Sequence, residues 1–137
     1  MSVLLDTNVL SEAGRPSPNR DVQAFLLGLA DLWISVVSIH EIEYGIGLLP
    51  VGQRRTGLEK SMAAVVATFG PGVIPIGEHE ARRAARFRAE SRRRGRVLDL
   101  PDALIAATAK EHGLTLATRN ISDFDYLGID VVDPWSA

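Results

Sequence analysis

The 137-residue sequence predicts one α/β domain, spanning 1–137, with a central, mostly parallel sheet flanked by helices. Three observations predict it. Short apolar runs alternate along the chain with segments of helical periodicity, the pattern of β–α units. The first run, SVLL at 2–5, has no charged residue to break it, as expected of a strand covered on both faces. The length suits a single hydrophobic core, and no internal repeat, low-complexity tract or linker divides it.

The elements follow in order. Residues 2–5 read as a strand, and Asp6, Thr7 and Asn8 are residue types that cap a helix start. In NRDVQAFLLGLA (19–30), Val22, Phe25, Leu26 and Leu29 recur at helical spacing. WISVV (33–37) is a second strand, and SIHEIEYGIGLLP (38–50) a helix opening at Ser38 and closing at Pro50. TGLEKSMAAVVATFG (56–70) has a third helical pattern. GVIPIG (72–77) is a short strand in which Pro75 marks an edge or an end. Residues 78–95 form an arginine-rich helix with Ala81, Ala84, Ala85 and Phe87 expected to pack inward. PDALIAATAKEHG (101–113) is a helix with Pro at its start and Gly at its end. LTLAT (114–118) is a strand, NISDF (120–124) a loop or short helix, and GIDVVDP (128–134) the last strand.

Composition excludes several classes of function. The chain has no Cys, hence no disulfide and no thiolate metal site, in keeping with a reducing cytoplasm as the expected location. The N-terminus carries neither a basic n-region nor a long apolar stretch, so no signal peptide is expected. No apolar run approaches the ~18 residues of a membrane span, so no membrane partner is expected. The net charge of −2 conceals an asymmetry. Residues 81–96 hold eight Arg against one acid, Glu90, a local +7; the remaining seven bases and sixteen acids leave −9. Positive charge concentrated in one segment points to a polyanion as a partner, and a solvated helix face is the competing reading.

Ligands of open parallel sheets bind at the carboxyl ends of the strands. Asp6 follows the first strand, Glu41 follows the second, Asp102 opens the helix before LTLAT, and Asn120 and Asp123 follow that strand. Four segments thus bring oxygen donors to one rim, where carboxylates repel unless a cation intervenes. A hard cation such as Mg²⁺ or Mn²⁺ resolves that conflict. Each acid also has a structural reading. Asp6 can cap the following helix. Ser38-Ile39-His40-Glu41 matches a capping box, with Glu41 bonding back to the cap. Asp102 can complement a helix dipole, although DALIAATA (102–109) is apolar nearly all round and so reads as buried. Periodicity does not decide whether Glu41 or Glu43, about 200° apart on a helix, faces the rim.

In combination, LLDTNVLSE (4–12), SIHEIEYG (38–45), DALIAATA (102–109) and LATRNISDF (116–124) resemble the signature segments of PIN-domain ribonucleases. The likeness is closest to the VapC toxins of bacterial toxin–antitoxin modules, in their FitB-like branch, and covers nearly the whole chain, least distinctly from about 50 to 98. The resemblance implies a metal-dependent ribonuclease with Asp6, Glu41 and Asp102 as metal ligands, and it selects Glu41, four residues before Gly45, over Glu43. Its fourth acidic position falls on Asn120, a departure that Asp123 is placed to offset. Thr7, Asn8, Ser38 and Thr118 match the small polar positions that orient such ligands. Mg²⁺ or Mn²⁺ would activate water and neutralise charge on the phosphate, with no side-chain nucleophile needed. This suits a chain whose three His (40, 79 and 112) are scattered. The expected products carry a 5′-phosphate and a 3′-hydroxyl. The resemblance also implies a cognate antitoxin and a homodimer. Arg82, Arg86 and Arg93 are the expected contacts to RNA phosphates.

Two other classes compete. Asn120 favours a catalytically impaired domain of this fold serving as a nucleic-acid- or partner-binding module. A phosphohydrolase of small molecules fits less well, because residue 8 is Asn where that chemistry often uses Asp-x-Asp, and no Gly-rich phosphate loop precedes a helix.

Overall fold

The computed structural model describes residues 1–136. Five parallel strands form the sheet: β1 (Ser2–Leu5), β2 (Asp31–Ser35), β3 (Val73–Ile74), β4 (Thr115–Ala117) and β5 (Val131–Val132). Their spatial order is β3-β2-β1-β4-β5. The chain builds outward from β1 through β2 to β3, then crosses to the other side of β1 to lay down β4 and β5. The direction of winding therefore reverses at the β1–β4 pair, and this is where such a sheet opens a crevice at its carboxyl edge.

Six helices complete the domain: α1 (Thr7–Ala13), α2 (Arg20–Leu27), α3 (Val36–Gly47), α4 (Gln53–Phe69), α5 (Glu78–Arg93) and α6 (Leu100–His112). Alternation along β1 assigns the two faces. Val3 and Leu5 join Val9, Val22, Ile34, Ile42 and Met62 beneath the α1–α4 side. Leu4 joins Ala84, Ile105, Ala106 and Leu116 beneath α5 and α6. Buried α6 presents Ala103, Ala106, Ala107 and Ala109 to its surroundings, small residues that let a helix lie close to a sheet. The helix ends at Gly113, whose positive φ of 64° suits glycine, and Leu114 N–H reaches back to Ala109 C=O at 2.9 Å. That turn feeds the chain directly into β4.

The sequence places every element, with shifted bounds. The second strand ends at Ser35 rather than residue 37, and the following helix starts at Val36 rather than Ser38. Ser35 caps it, its Oγ accepting Val37 N–H at 3.0 Å. Val36 and Val37 favour strands by propensity, but the cap and the packing of α3 place them in a helix. The last two strands shorten to 115–117 and 131–132. On α5, Ala84 is buried and Phe87 half-buried, whereas Ala81 and Ala85 face solvent, contrary to expectation.

Candidate metal centre

Asp6 leaves β1 at the β1–β4 crevice, its own N–H bonded to Ala117 C=O at 2.9 Å. It does cap α1: Oδ1 accepts Thr7 N–H at 2.8 Å. Oδ2 accepts the Thr118 hydroxyl at 2.7 Å and, at a long 3.4 Å, the Asn8 amide. Thr118 is buried at the end of β4 and in turn accepts Asn120 N–H at 3.1 Å. Asp6 is only 4% exposed. Burial pushes its carboxyl above the ordinary range, the Thr118 and Thr7 bonds pull it down, and repulsion from Glu41 and Asp123 pushes it up again.

Glu41 arrives from α3. Because the helix begins at Val36, Glu41 is its sixth residue, too far along to bond back to the cap, and the Ser38–Glu41 capping box does not form. Glu41 Oε1 instead accepts the Thr7 hydroxyl at 2.7 Å. With its proton committed there, Thr7 Oγ1 accepts from the buried Ser38 hydroxyl at 2.9 Å. Ser38 and Glu41 lie three apart on one helix face, and Glu43 is exposed on another.

Asp102 sits in the first turn of α6 as its third residue, not at its opening. The cap is Asp99, whose Oδ1 accepts Asp102 N–H at 3.0 Å. Burial, then repulsion from Asp99, Asp6, Glu41 and Asp123 in decreasing order, pushes Asp102 up to about 7. Asp123 ends a 3-10 turn at Ile121–Asp123 that opens at Asn120. With three residues per turn, 120 and 123 fall on one side. Asn120 enters the network through its backbone N–H, whereas the Asp123 carboxylate acts on both Asp6 and Asp102. Asp102, Asp123 and Asp99 line one hollow of about 230 Å³ together with Arg96 and Tyr126. Glu41, Thr7 and Asn8 line a larger groove of about 540 Å³ on the other side.

The fold has close counterparts. The PIN-domain family model matches residues 3–128. This chain belongs to the PIN-domain family. Toxin FitB of Neisseria gonorrhoeae is 37% identical, the alignment covering 97% of this chain and 98% of the relative. VapC ribonuclease Y4jK of Sinorhizobium fredii is 33% identical, covering 97% of each. The crystal structure of FitAcB from Neisseria gonorrhoeae superposes with a TM-score of 0.89 at 35% identity, covering 98% of this chain and 99% of that one.

In this PIN domain the residues gathered by tertiary structure are Asp6, Glu41, Asp102 and Asp123, which interact through space although three elements and a loop supply them. Among the described residues no three acidic or imidazole side chains close into a ready-made cage. An all-oxygen set of this kind suits Mg²⁺ or Mn²⁺ held by one or two carboxylates and several waters. The Arg candidates fare differently. Arg82 pairs with Glu78 at 2.9 Å and Arg93 with Glu90 at 2.8 Å, while Arg86 is exposed.

Three neighbours of the rim escaped the sequence reading. Asp99 adds charge beside Asp102, and Asp99-Leu-Pro-Asp102 carries the available signal, an Asp cap with Pro in the first helical turn. Arg96 lines the Asp102 hollow, and Arg119 lines the groove beside Glu41. Arg96 belongs to the arginine-rich 81–96 segment without standing out within it, and nothing local in the sequence distinguishes Arg119.

Proposed function

We propose that the chain is a metal-dependent ribonuclease and the toxin of a toxin–antitoxin pair, with Asp6, Glu41, Asp102 and Asp123 as the groups that hold Mg²⁺ or Mn²⁺. One observation carries this reading. Four carboxylates share the crevice, and none of them forms an ion pair among the described residues. Mutual repulsion without a compensating cation raises the cost of the folded state, and a divalent cation relieves it.

Bound there, the cation would lower the pKa of water for attack and offset charge growing on the phosphate. The chain's own residues fix the donors. Thr118 and Thr7 N–H hold Asp6 in one orientation, and the Ser38–Thr7 hydroxyl chain holds Glu41. Asn8 joins the two sides of the crevice, its amide near Asp6 and its Oδ1 accepting Arg119 N–H at 3.3 Å. Asp123 supplies the charge that Asn120 lacks, and Asn120 orients Thr118 through its backbone.

The ribonuclease named among the relatives supports RNA as the substrate, and the toxin named there supports an antitoxin partner. The larger groove suits an amphipathic antitoxin helix. Ile42, Ile46, Leu49, Leu58 and Met62 line its floor, and it opens onto Glu41. Exposed Val36, Val97 and Leu100 supply apolar surface for a homodimer. No helix among the described residues is long and apolar enough to cross a membrane, and a cytoplasmic site of action accords with RNA as substrate. The test is incubation of the protein with total cellular RNA, with Mg²⁺ or with chelator, followed by mapping of the ends. Metal-dependent cuts leaving 5′-phosphate and 3′-hydroxyl are expected, and cleavage unaffected by chelator would overturn the reading.

A further inference from the structure

Two arginines line the two separate hollows that hold the rim acids, and each rests on an aromatic ring. The Arg96 guanidinium lies 3.8 Å from the centroid of the Tyr126 ring, in the hollow lined by Asp102 and Asp123. The Arg119 guanidinium lies 4.8 Å from the centroid of the Trp135 ring, in the groove lined by Glu41 and Asn8. Both arginines are exposed, and among the described residues neither forms an ion pair. The side chain of Arg96 makes one hydrogen bond, from Nη2 to Ser122 C=O.

We propose that Arg96 and Arg119 hold the RNA phosphates on either side of the scissile linkage, so that the strand crosses the rim from the Glu41 groove to the Asp102 hollow. This rests on the ribonuclease reading and adds the path of the strand. The rings hold the arginines ready. A guanidinium held over an aromatic face keeps N–H groups available for a phosphate, and its restricted motion lowers the entropy lost on binding.

The seats are themselves fixed. The buried Ser91 hydroxyl donates to Phe87 C=O at 2.7 Å, so the Tyr126 hydroxyl donates to Ser91 Oγ at 2.7 Å. Trp135 packs against the core on the α1–α4 side, and its backbone N–H donates to Asp133 Oδ1 at 2.9 Å. The backbone before Arg96 is equally set. Gly95, at φ 73°, follows the end of α5, with Gly95 N–H bonded to Arg92 C=O at 3.0 Å and Arg96 N–H to Ser91 C=O at 2.9 Å. Both bonds of a Schellman turn are present, and the turn directs Arg96 back toward the rim. On α5, Arg82, Arg93 and Arg94 share charge with Glu78 or Glu90, whereas Arg86, Arg88 and Arg92 are exposed but line neither hollow of the rim.

The experiment measures binding of a fluorescein-labelled oligouridylate by anisotropy, in chelator, across a salt series. Cleavage of total RNA in Mg²⁺ is measured in parallel. The proteins are wild type, Arg96→Gln, Arg119→Gln, the two Lys variants, and Arg20→Gln, which removes the same charge at the start of α2. Each rim Gln variant should bind about tenfold more weakly, the loss of one charge-assisted contact. Each should also lower the salt slope by about 0.7, one phosphate on a single strand. Lys should restore the slope but only part of the affinity, because charge returns without the planar stack. A purely structural role would lower the unfolding midpoint and leave the slope unchanged. If wild type binds and cleaves RNA while both Gln variants match Arg20→Gln in affinity and slope, the strand path is wrong and the ribonuclease reading survives. If wild type neither binds nor cleaves RNA, both fall together.

Discussion

The acidic rim and the arginine helix are the two most highly charged regions of the molecule, and they treat like charge in opposite ways. Along α5 and its end four of the eight arginines find acids on the same helix or on its neighbour: Arg82 with Glu78, Arg93 and Arg94 with Glu90, Arg83 with Glu111. At the rim, Asp6, Glu41, Asp102 and Asp123 receive hydroxyl and amide hydrogen bonds or solvent, and no cationic partner among the described residues. Half of the arginines in the +7 segment are therefore paired with acids in the fold, whereas the dispersed acids of the rim have no cationic partner among the described residues. What matters is which charges the fold leaves without partners, and a count along the chain does not give that.

The comparison is tested most severely at Asp6. Asp6→Asn keeps the cap on α1, since Asn is an equally good cap, and removes the central charge of the rim. Cleavage should fall by roughly a thousandfold, the several kcal/mol that a metal contributes to the transition state. The unfolding midpoint in chelator should rise, because the raised carboxyl of Asp6 no longer has to ionise in a buried site. A variant that cleaves at the wild-type rate would reduce Asp6 to a helix cap.

A smaller effect is expected at the hydroxyl that holds Asp6. Thr118→Val preserves shape and deletes the bond to Asp6 Oδ2. Activity at limiting Mg²⁺ should fall about 10- to 100-fold and recover in part at high Mg²⁺, as for other groups that orient a ligand. A loss that excess Mg²⁺ does not touch would place Thr118 outside the metal network. The fourth position gives a related contrast. Asp123→Ala should raise the Mg²⁺ needed for half-maximal cleavage, and Asn120→Asp should lower it. A dead Asn120→Ala beside a normal Asp123→Ala would reverse that assignment.

The rim should also titrate. Asp102 is raised from 3.8 to about 7, so between those values the folded protein retains a proton that the unfolded chain releases. Stability in chelator then falls as pH rises through that window. For a half-buried, partly screened group the effect is on the order of 2 kcal/mol. Asp102→Asn should remove that slope, read as the difference between the two proteins' unfolding midpoints from pH 4 to 8. Equal slopes would mean that the rim carries no such strain.

The smallest effect belongs to the helix. Replacing Arg82 and Arg93 together with Gln should leave the unfolding midpoint almost unchanged, because exposed pairs contribute little. It should also reduce RNA affinity less than either rim arginine does. A larger loss than that of Arg96→Gln would return the phosphate contacts to α5.

The sequence by itself determined the α/β class, the order of the elements and the placement of Asp6, Glu41 and Asp102 beside the carboxyl ends of strands, because apolar periodicity and residues at strand ends are local properties that any parallel sheet must respect. The motif likeness also favoured Glu41 over Glu43. Tertiary structure decided what depends on partners. Ser35, not Ser38, caps α3, so Glu41 is released from a capping box and bonded to Thr7 across 34 residues. Asp99 caps α6 and presses on Asp102, and Asp123 stands where Asn120 carries no charge. Tyr126 and Trp135 seat two arginines that look ordinary in sequence. Hydrogen bonds and Coulomb forces act across space, and the sheet order that brings β4 beside β1 is what turns residues more than a hundred positions apart into neighbours.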